Sequence, residues 1–458
     1  MGEGMIILHP PQLSLVEKSR NTGKRSVLIQ APTGFGKSII AAYIIQSAMA
    51  KNTRTMFTVP RLELLSQMSK NYCDFNIPHT FVAAGEKYHP QVNNVIASLP
   101  SLKSRMGKIT PPQLLICDES HYGDKALDSV ISWAKNNGAF ILGLSATPMK
   151  NNGKGLGCWY DAMVEGPTIK WLIDNNYLSK YRAFAPSTTD NSMLRMRDGD
   201  YTAETKEEWV KANKQIVGSA VESYKKFAMG KRGVTFTVSR AESIKVCAAY
   251  NAAGIPAAVI DGETPKEERK QLAIALATGE ILQLVCCRLL VFGYDLSAAS
   301  GMNVVIQCLT DLCPSGSLAD LLQKWGRVLR FEFIGADPHI ILDHVGNIGG
   351  QLGWPDDERT WTLADREKRD GKKKSDEKDI QARICPKCFF AHKPMPVCPD
   401  CGHVYVIQSR EIEEVDGELQ EIQRNEEKKQ ARMEVGRAQT IDDLWAIARE
   451  RNYKAGWV

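Results

Sequence analysis

The stretch Ala31-Pro32-Thr33-Gly34-Phe35-Gly36-Lys37-Ser38 decides the fold. The apolar run Val27-Leu28-Ile29 precedes it, and the helix-like run Ile39-Ile40-Ala41-Ala42-Tyr43-Ile44-Ile45 follows. Strand, glycine loop and helix in that order are the context of a phosphate-binding loop. The glycines let backbone N–H groups curl round an anion, and the new helix adds the positive end of its dipole. In that geometry Thr33, Gly34 and Gly36 cradle phosphates, Lys37 reaches the β- and γ-phosphates, and Ser38 holds Mg²⁺. The first position of the full pattern is Ala31 here rather than glycine.

Working outward, Leu8-His9-Pro10-Pro11-Gln12 opens an amphipathic helix one loop upstream. Gln12 is placed to read an adenine edge; the plainer reading is a capped helix start. Downstream, the apolar run Thr55–Val59 ends at Pro60-Arg61, and Val95-Ile96 runs into Ala97-Ser98. Leu114–Cys117 ends at Asp118-Glu119-Ser120-His121, and Phe140–Leu144 ends at Ser145-Ala146-Thr147-Pro148. Short apolar strands alternating with helical stretches predict a parallel α/β sheet with its sites at the strands' carboxyl ends. Adjacent carboxylates there suit hydrolysis: Asp118 to bind Mg²⁺, Glu119 to orient or deprotonate water. A surface Asp-Glu turn is the bland alternative.

A second α/β pattern follows. Strands are expected at Val234–Val238, Ala257–Ile260, Leu284–Cys287, Val304–Ile306 and Ile340–Asp343. Between the last two, Gln323, Arg327 and Arg330 recur at near-helical spacing and are expected on one face. They read either as a solvated basic face or as arginine fingers closing on a γ-phosphate. The expected boundaries are a nucleotide-binding α/β domain at 1–165, a helical inter-domain segment at 166–215 and a second α/β domain at 216–355. A charged linker at 356–380, containing Lys372-Lys373-Lys374, a cysteine module at 381–410 and a tail at 411–458 complete the chain.

The cysteine module holds Cys385-Pro386-Lys387-Cys388 and Cys398-Pro399-Asp400-Cys401-Gly402. Two such knuckles at short separation predict a structural Zn²⁺ held tetrahedrally by Cys385, Cys388, Cys398 and Cys401. His392 and His403 lie nearby as substitute ligands. The other eight cysteines are scattered, which argues against a secreted disulfide framework. The 458 residues carry a net charge of +5, which permits a nucleic-acid partner without demanding one. No signal peptide or membrane span is expected.

Taken in order, these blocks resemble the superfamily 2 helicases and translocases, from about residue 5 to 345. The shared motifs are the phosphate loop, Asp118-Glu119-Ser120-His121, Ser145-Ala146-Thr147 and the Gln323-to-Arg330 block. A finer resemblance is to the RadD-like subgroup of bacteria and phages, related to the UvsW-type phage helicases. It rests on Asp343-His344-Val345-Gly346-Asn347, Trp354-Pro355-Asp356-Asp357, the cysteine pairs and the closing Arg451–Trp457. The resemblance implies an α/β fold of two tandem RecA-like motor domains with a C-terminal zinc ribbon. It implies ATP and Mg²⁺ as ligands, bound in part by Asp295, and catalysis by Lys37, Asp118, Glu119, His121, Gln323, Arg327 and Arg330. His121 and Gln323 are expected to contact each other across the cleft. Pro60, Arg61, Ala97, Ser98, Thr237, Val238 and Gly293 are expected to track a nucleic-acid backbone with little sequence preference. The implied function is ATP-dependent DNA translocation or unwinding in repair, recombination or fork processing. The implied setting is the cytoplasm of a bacterium or phage-infected cell, with partners such as a single-stranded DNA-binding protein. Alternatives are an RNA helicase, a nucleic-acid-binding adaptor without strand separation, and the motor subunit of a restriction system. The block Val291-Phe292-Gly293-Tyr294-Asp295, with Arg288 before it, departs from the family's usual fifth motif.

Overall fold

A computed structural model describes residues 5–150, 153–186, 191–213, 216–287, 289–290, 294–350, 352–365, 383–385, 387–388, 390–393 and 395–405. Arg288, Val291, Phe292, Gly293, the Lys372-Lys373-Lys374 run and the tail from 411 onward lie outside these residues.

The first sheet contains β1 (Ser26–Gln30), β2 (Thr55–Val59), β3 (Thr80–Val82), β4 (Asn94–Ser98), β5 (Leu114–Cys117), β6 (Phe140–Ser145) and β7 (Ala162–Glu165). Their spatial order is β3-β4-β2-β5-β6-β1-β7, and every pairing is parallel. Parallel strands are covered on both faces, so they need continuous apolar runs. β1, β2 and β4 are buried along their whole length. The strands' carboxyl ends gather the phosphate loop after β1, Asp118-Glu119 after β5 and Ser145-Ala146-Thr147 at the end of β6.

The second sheet contains β8 (Tyr181–Phe184), then, after a small hairpin of β9 (Met196–Arg197) and β10 (Asp200–Tyr201), β11 (Gly233–Phe236), β12 (Ala257–Ile260), β13 (Gln283–Cys286), β14 (Cys308–Asp311) and β15 (His339–Asp343). The cysteine module adds β16 (Arg383–Ile384) and β17 (Phe390–His392), giving the order β12-β13-β11-β14-β15-β8-β17-β16.

Three expectations are corrected here. β8 falls in the segment assigned between the domains, yet it pairs in parallel with β15 and belongs to the second sheet. Val304-Val305-Ile306 is buried but not a strand; the strand is Cys308–Asp311 immediately after it. An apolar run shows that a stretch is buried, while strand pairing is decided by register with β11 and β15. Thirdly, the start of the expected solvated linker is ordered. The Tyr181 hydroxyl donates to Asp356 at 2.6 Å, Gly157 N donates to Leu363 O at 2.9 Å, and Gly155 N donates to an Asp365 carboxylate oxygen at 2.9 Å. Residues 356–365 thus run from the second sheet back to the loop that follows Ser145-Ala146-Thr147. The approach is backbone to backbone: a Cβ on Gly155 would stand 2.1 Å from Leu363 O.

The cysteine module is a continuation of the second sheet. β17 pairs antiparallel with β8, placing Phe390 opposite Phe184. Arg182 Nη2 meets Asp400 at 2.6 Å, and Lys393 Nζ meets Asp357 at 2.8 Å.

Candidate active site and metal centre

The phosphate loop forms as the glycines predict. Gly34 and Gly36 both have φ near +88°, a region open to glycine at little cost. Gly36 caps the helix Lys37–Met49, whose first N–H groups stay directed into the loop. Lys37 is buried; its Nζ donates to Ala31 O at 3.3 Å and lies 4.0 Å from Glu119 Oε1.

Gln12 touches the loop, but its polar ends are engaged. Its amide donates to Phe35 O at 2.8 Å, and its carbonyl accepts from the His9 backbone at 3.0 Å. In this arrangement Gln12 braces the phosphate loop beside Gly36, with one amide hydrogen and one carbonyl lone pair still uncommitted.

Glu119 takes a left-handed conformation, φ 44° and ψ 50°, which turns the chain sharply after β5. The following 3₁₀ turn, Ser120–Tyr122, is anchored by the Ser120 hydroxyl on Cys117 O at 3.0 Å. His121 is buried, with Nδ1 2.9 Å from Ser145 Oγ and 3.4 Å from Glu119 Oε2. Ser145 Oγ donates its proton to Thr147 O at 2.7 Å, so the His121 Nδ1 must carry the hydrogen between them. Burial pushes the imidazole down to about 4, leaving it neutral at ordinary pH. Burial, then the adjacent Glu119 carboxylate, pushes Asp118 up to about 7. Burial would raise Glu119 as well, but Lys37 above all, with His121, Gln323 and Arg327, holds it below its usual value. Glu119 is therefore the more readily ionised of the two.

The second sheet completes the cleft through the helix Leu318–Val328. Gln323 and Arg327 lie on this helix and are buried. Gln323 Nε2 donates to Glu119 Oε1 at 3.1 Å. The cross-cleft partner of Gln323 is thus Glu119, not His121 as expected. Arg330 lies beyond the helix end, so the three residues do not share one helical face, yet it lines the same cleft of about 430 Å³. Its guanidinium grips Asp295 with two bonds, at 3.0 and 3.3 Å. Asp295 also caps the helix Leu296–Ser300, accepting from Ser297 N at 2.8 Å. Against the cost of burial, chiefly Arg330 brings Asp295 down to about 2. Arg327 donates to Tyr294 O at 2.9 Å, and burial lowers it to about 10, still cationic.

Buried Thr33 Oγ1, Glu119 Oε2 and Arg327 Nε have no hydrogen-bond partner among the described residues. All three residues line the cleft. An orphaned hydroxyl, a carboxylate oxygen and a guanidinium N–H facing one space fit a phosphorylated ligand with its attacking water. Ser38 and Asp118 line the same cleft and are the oxygen ligands available to Mg²⁺.

The expected nucleic-acid positions divide. Ala97, Ser98 and Thr237 are buried, and the Thr237 hydroxyl is used internally, on Ser239 O at 3.1 Å. Pro60 and Val238 are half-buried, and Arg61 is exposed.

The four Sγ atoms of Cys385, Cys388, Cys398 and Cys401 lie within 4.8 Å of one another. Cys385 to Cys401 is 3.6 Å and Cys388 to Cys398 is 3.7 Å. Four thiolates about 2.3 Å from one Zn²⁺ stand roughly 3.8 Å apart at tetrahedral angles. The cluster therefore fits zinc. His392 turns its Nδ1 to Lys393 O at 2.6 Å, and neither His392 nor His403 joins the cluster.

Residues 6–150 match the family described as "Type III restriction enzyme, res subunit", and residues 219–332 match "Helicase conserved C-terminal domain". A 51.5 kDa protein of Lactococcus phage (isolate 7-9) is 30% identical over 429 residues, spanning 93% of this chain and 88% of the relative. A Schizosaccharomyces pombe protein described as a mitochondrial ATP-dependent helicase, irc3, is 26% identical over 350 residues, spanning 73% of this chain and 56% of the relative. Among solved structures, an HsdR-subunit fragment of a type I restriction enzyme from Vibrio vulnificus superposes with a TM-score of 0.54 at 16% identity, covering 75% of this chain and 65% of that one. The ATP-dependent Type ISP restriction-modification enzyme LlaBIII bound to DNA gives 0.51 at 14% identity, covering 75% of this chain and 28% of that one. At such identities the likeness is one of fold.

Proposed function

This chain belongs to the superfamily 2 helicases, and on that premise we propose that it is an ATP-driven motor on DNA that translocates along or remodels strands during repair, recombination or fork processing. The observation that carries this reading is the hydrogen bond between Gln323 on the second sheet and Glu119 on the first. A hydrolytic carboxylate held from the opposite domain makes hydrolysis depend on how the domains stand. Coupling of that kind is what a motor requires and a simple hydrolase does not.

In the mechanism, Thr33, Gly34, Gly36 and Lys37 bind the triphosphate. Ser38 and Asp118 would hold Mg²⁺, which when bound neutralises charge on the β- and γ-oxygens. Glu119, ionised and oriented by Gln323, accepts a proton from the attacking water. Neutral His121 lies beside Glu119 and is hydrogen-bonded to Ser145, which leads into the loop on which residues 356–365 are tied down. Arg327 supplies positive charge to the γ-phosphoryl group as it passes to water and ADP leaves, and Arg330 can add to it on release from Asp295.

DNA is favoured over RNA because the carboxylate box reads Asp118-Glu119-Ser120-His121, not the Asp-Glu-Ala-Asp of the main RNA family. The LlaBIII neighbour, bound to DNA, has the same motor fold. We assign the finer kinship to the RadD-like subgroup, with little sequence preference and a steep salt dependence. No helix among the described residues is long and apolar enough to cross a membrane; the phage relative is consistent with work inside an infected bacterial cell. The test is the ATPase rate with no nucleic acid, single-stranded DNA, duplex DNA, forked DNA and RNA. Stimulation by DNA is expected. Stimulation by RNA alone would overturn the reading.

A further inference from the structure

A contact that no motif predicts lies beside the catalytic one. Tyr122 closes the 3₁₀ turn that begins at Ser120, and its hydroxyl donates to Asp320 Oδ1 at 3.2 Å. Tyr122 belongs to the first domain and Asp320 to the second. The Tyr122 ring also lies against the His121 imidazole, with centroids 4.0 Å apart.

Asp320 sits in the first turn of the helix Leu318–Val328, whose N-cap Ser317 accepts from Asp320 N at 3.2 Å. Positions 320, 323 and 327 fall at spacings of three and four, so they share one stripe of that helix. The stripe faces the first domain: Asp320 meets Tyr122, Gln323 meets Glu119, and Arg327 lines the ATP cleft. The helix therefore has two side-chain grips on one short turn of the other domain. Two grips about one helical turn apart set both its position along the axis and its rotation. A single bond through Gln323 would leave the helix free to pivot, and Arg327 would swing with it.

Chemistry suits a bond that is made and broken. Burial, and then the Asp320 carboxylate, pushes the phenol well above its ordinary value, so Tyr122 stays a donor at any working pH. The exposed Arg61, expected on the nucleic-acid path, is close enough to act electrostatically on the same phenol.

From this geometry we propose that Tyr122 and Asp320 form an inter-domain latch that sets the register of the Gln323/Arg327 helix when the domains close. Both are positioning residues, since neither faces the phosphates. The inference rests on the motor reading above. The bond between them counts only in the closed arrangement, so its loss lowers turnover with little effect on ATP capture, which rests chiefly on the phosphate loop of the first domain.

The experiment is steady-state ATP hydrolysis, with and without single-stranded DNA, for wild type, Tyr122→Phe, Asp320→Ala, Asp320→Asn and the Tyr122→Phe/Asp320→Ala double variant. Tyr122→Phe keeps the ring against His121 and removes only the hydroxyl. DNA-stimulated kcat is expected to fall about tenfold in Tyr122→Phe and in Asp320→Ala, with KM for ATP changed less than twofold. Asp320→Asn, which keeps an acceptor oxygen, should recover most of the rate. The double variant should be no slower than either single one, as for two halves of one bond. Wild-type turnover in Tyr122→Phe overturns the latch, as do multiplying losses in the double variant or an Asp320→Asn as slow as Asp320→Ala. A wild type that ignores DNA overturns the motor reading itself, and the latch with it.

Discussion

Gln323 reaches across the cleft to Glu119 and holds the carboxylate oxygen Oε1 at 3.1 Å. The other oxygen, Oε2, is buried, beside His121 at 3.4 Å. One oxygen is thus committed to reporting domain position and the other is left for water. Glu119→Gln should retain ATP binding and lose hydrolysis by roughly 10²–10⁴-fold, the usual value of a positioned base. Gln323→Ala should lose at least tenfold in kcat with ATP affinity kept. Rapid-quench hydrolysis beside fluorescent-nucleotide titration checks both.

Gly326 is the point where the helix of the second domain rides over the phosphate loop. A Cβ there would lie 2.4 Å from the Thr33 Cβ. Gly326→Ala should therefore hold the domains apart while leaving each folded. Turnover should fall more than tenfold, with circular dichroism unchanged and the thermal midpoint within a few degrees.

Asp343 gives a pH dependence whose sign is fixed. It is fully buried at the end of β15, and burial together with Asp311 raises it to about 7. Between about pH 4 and 7 the folded protein keeps this proton and the unfolded chain loses it. Stability is thus greatest below pH 4 as far as this group is concerned, and it falls as pH rises to 7, by up to roughly 1.4 kcal/mol per pH unit. Asp343→Asn should flatten that part of the urea-denaturation profile.

The zinc module should be part of the motor's stability, because β17 is paired to β8 and Lys393 to Asp357. Chelation, or Cys385→Ser, should release one equivalent of zinc, expose the β8 edge and lower the thermal midpoint. Basal ATPase should survive at moderate temperature, since no cysteine of the cluster lines the ATP cleft.

Much of this was legible in the chain. Phosphate loop, carboxylate box and the strands carrying them depend on local periodicity and turn chemistry, which residues 26–38 and 114–121 display openly. What was not legible is pairing between distant segments. β8 reads as linker because it is short and its partner, β15, lies far along the chain. Val304-Val305-Ile306 and Cys308–Asp311 are both buried, and only register tells them apart. Residues 356–365 are charged, yet their order comes from backbone contacts with Gly155 and Gly157. Tyr122 and Asp320 carry no motif, and only the fold brings them together. Thr237 shows the converse: a small hydroxyl at a strand end suits a phosphate contact by type, but its neighbours already use it.

The central claim is that hydrolysis is assembled from two domains. It is tested most directly by single-turnover ATP hydrolysis and nucleotide affinity, measured on the same preparations of wild type, Lys37→Ala and Arg327→Ala with DNA present. Lys37→Ala should lose binding and hydrolysis together. Arg327→Ala should bind ATP within a fewfold of wild type and hydrolyse it roughly 10³-fold more slowly. Arg327→Ala hydrolysing at the wild-type rate would contradict the account.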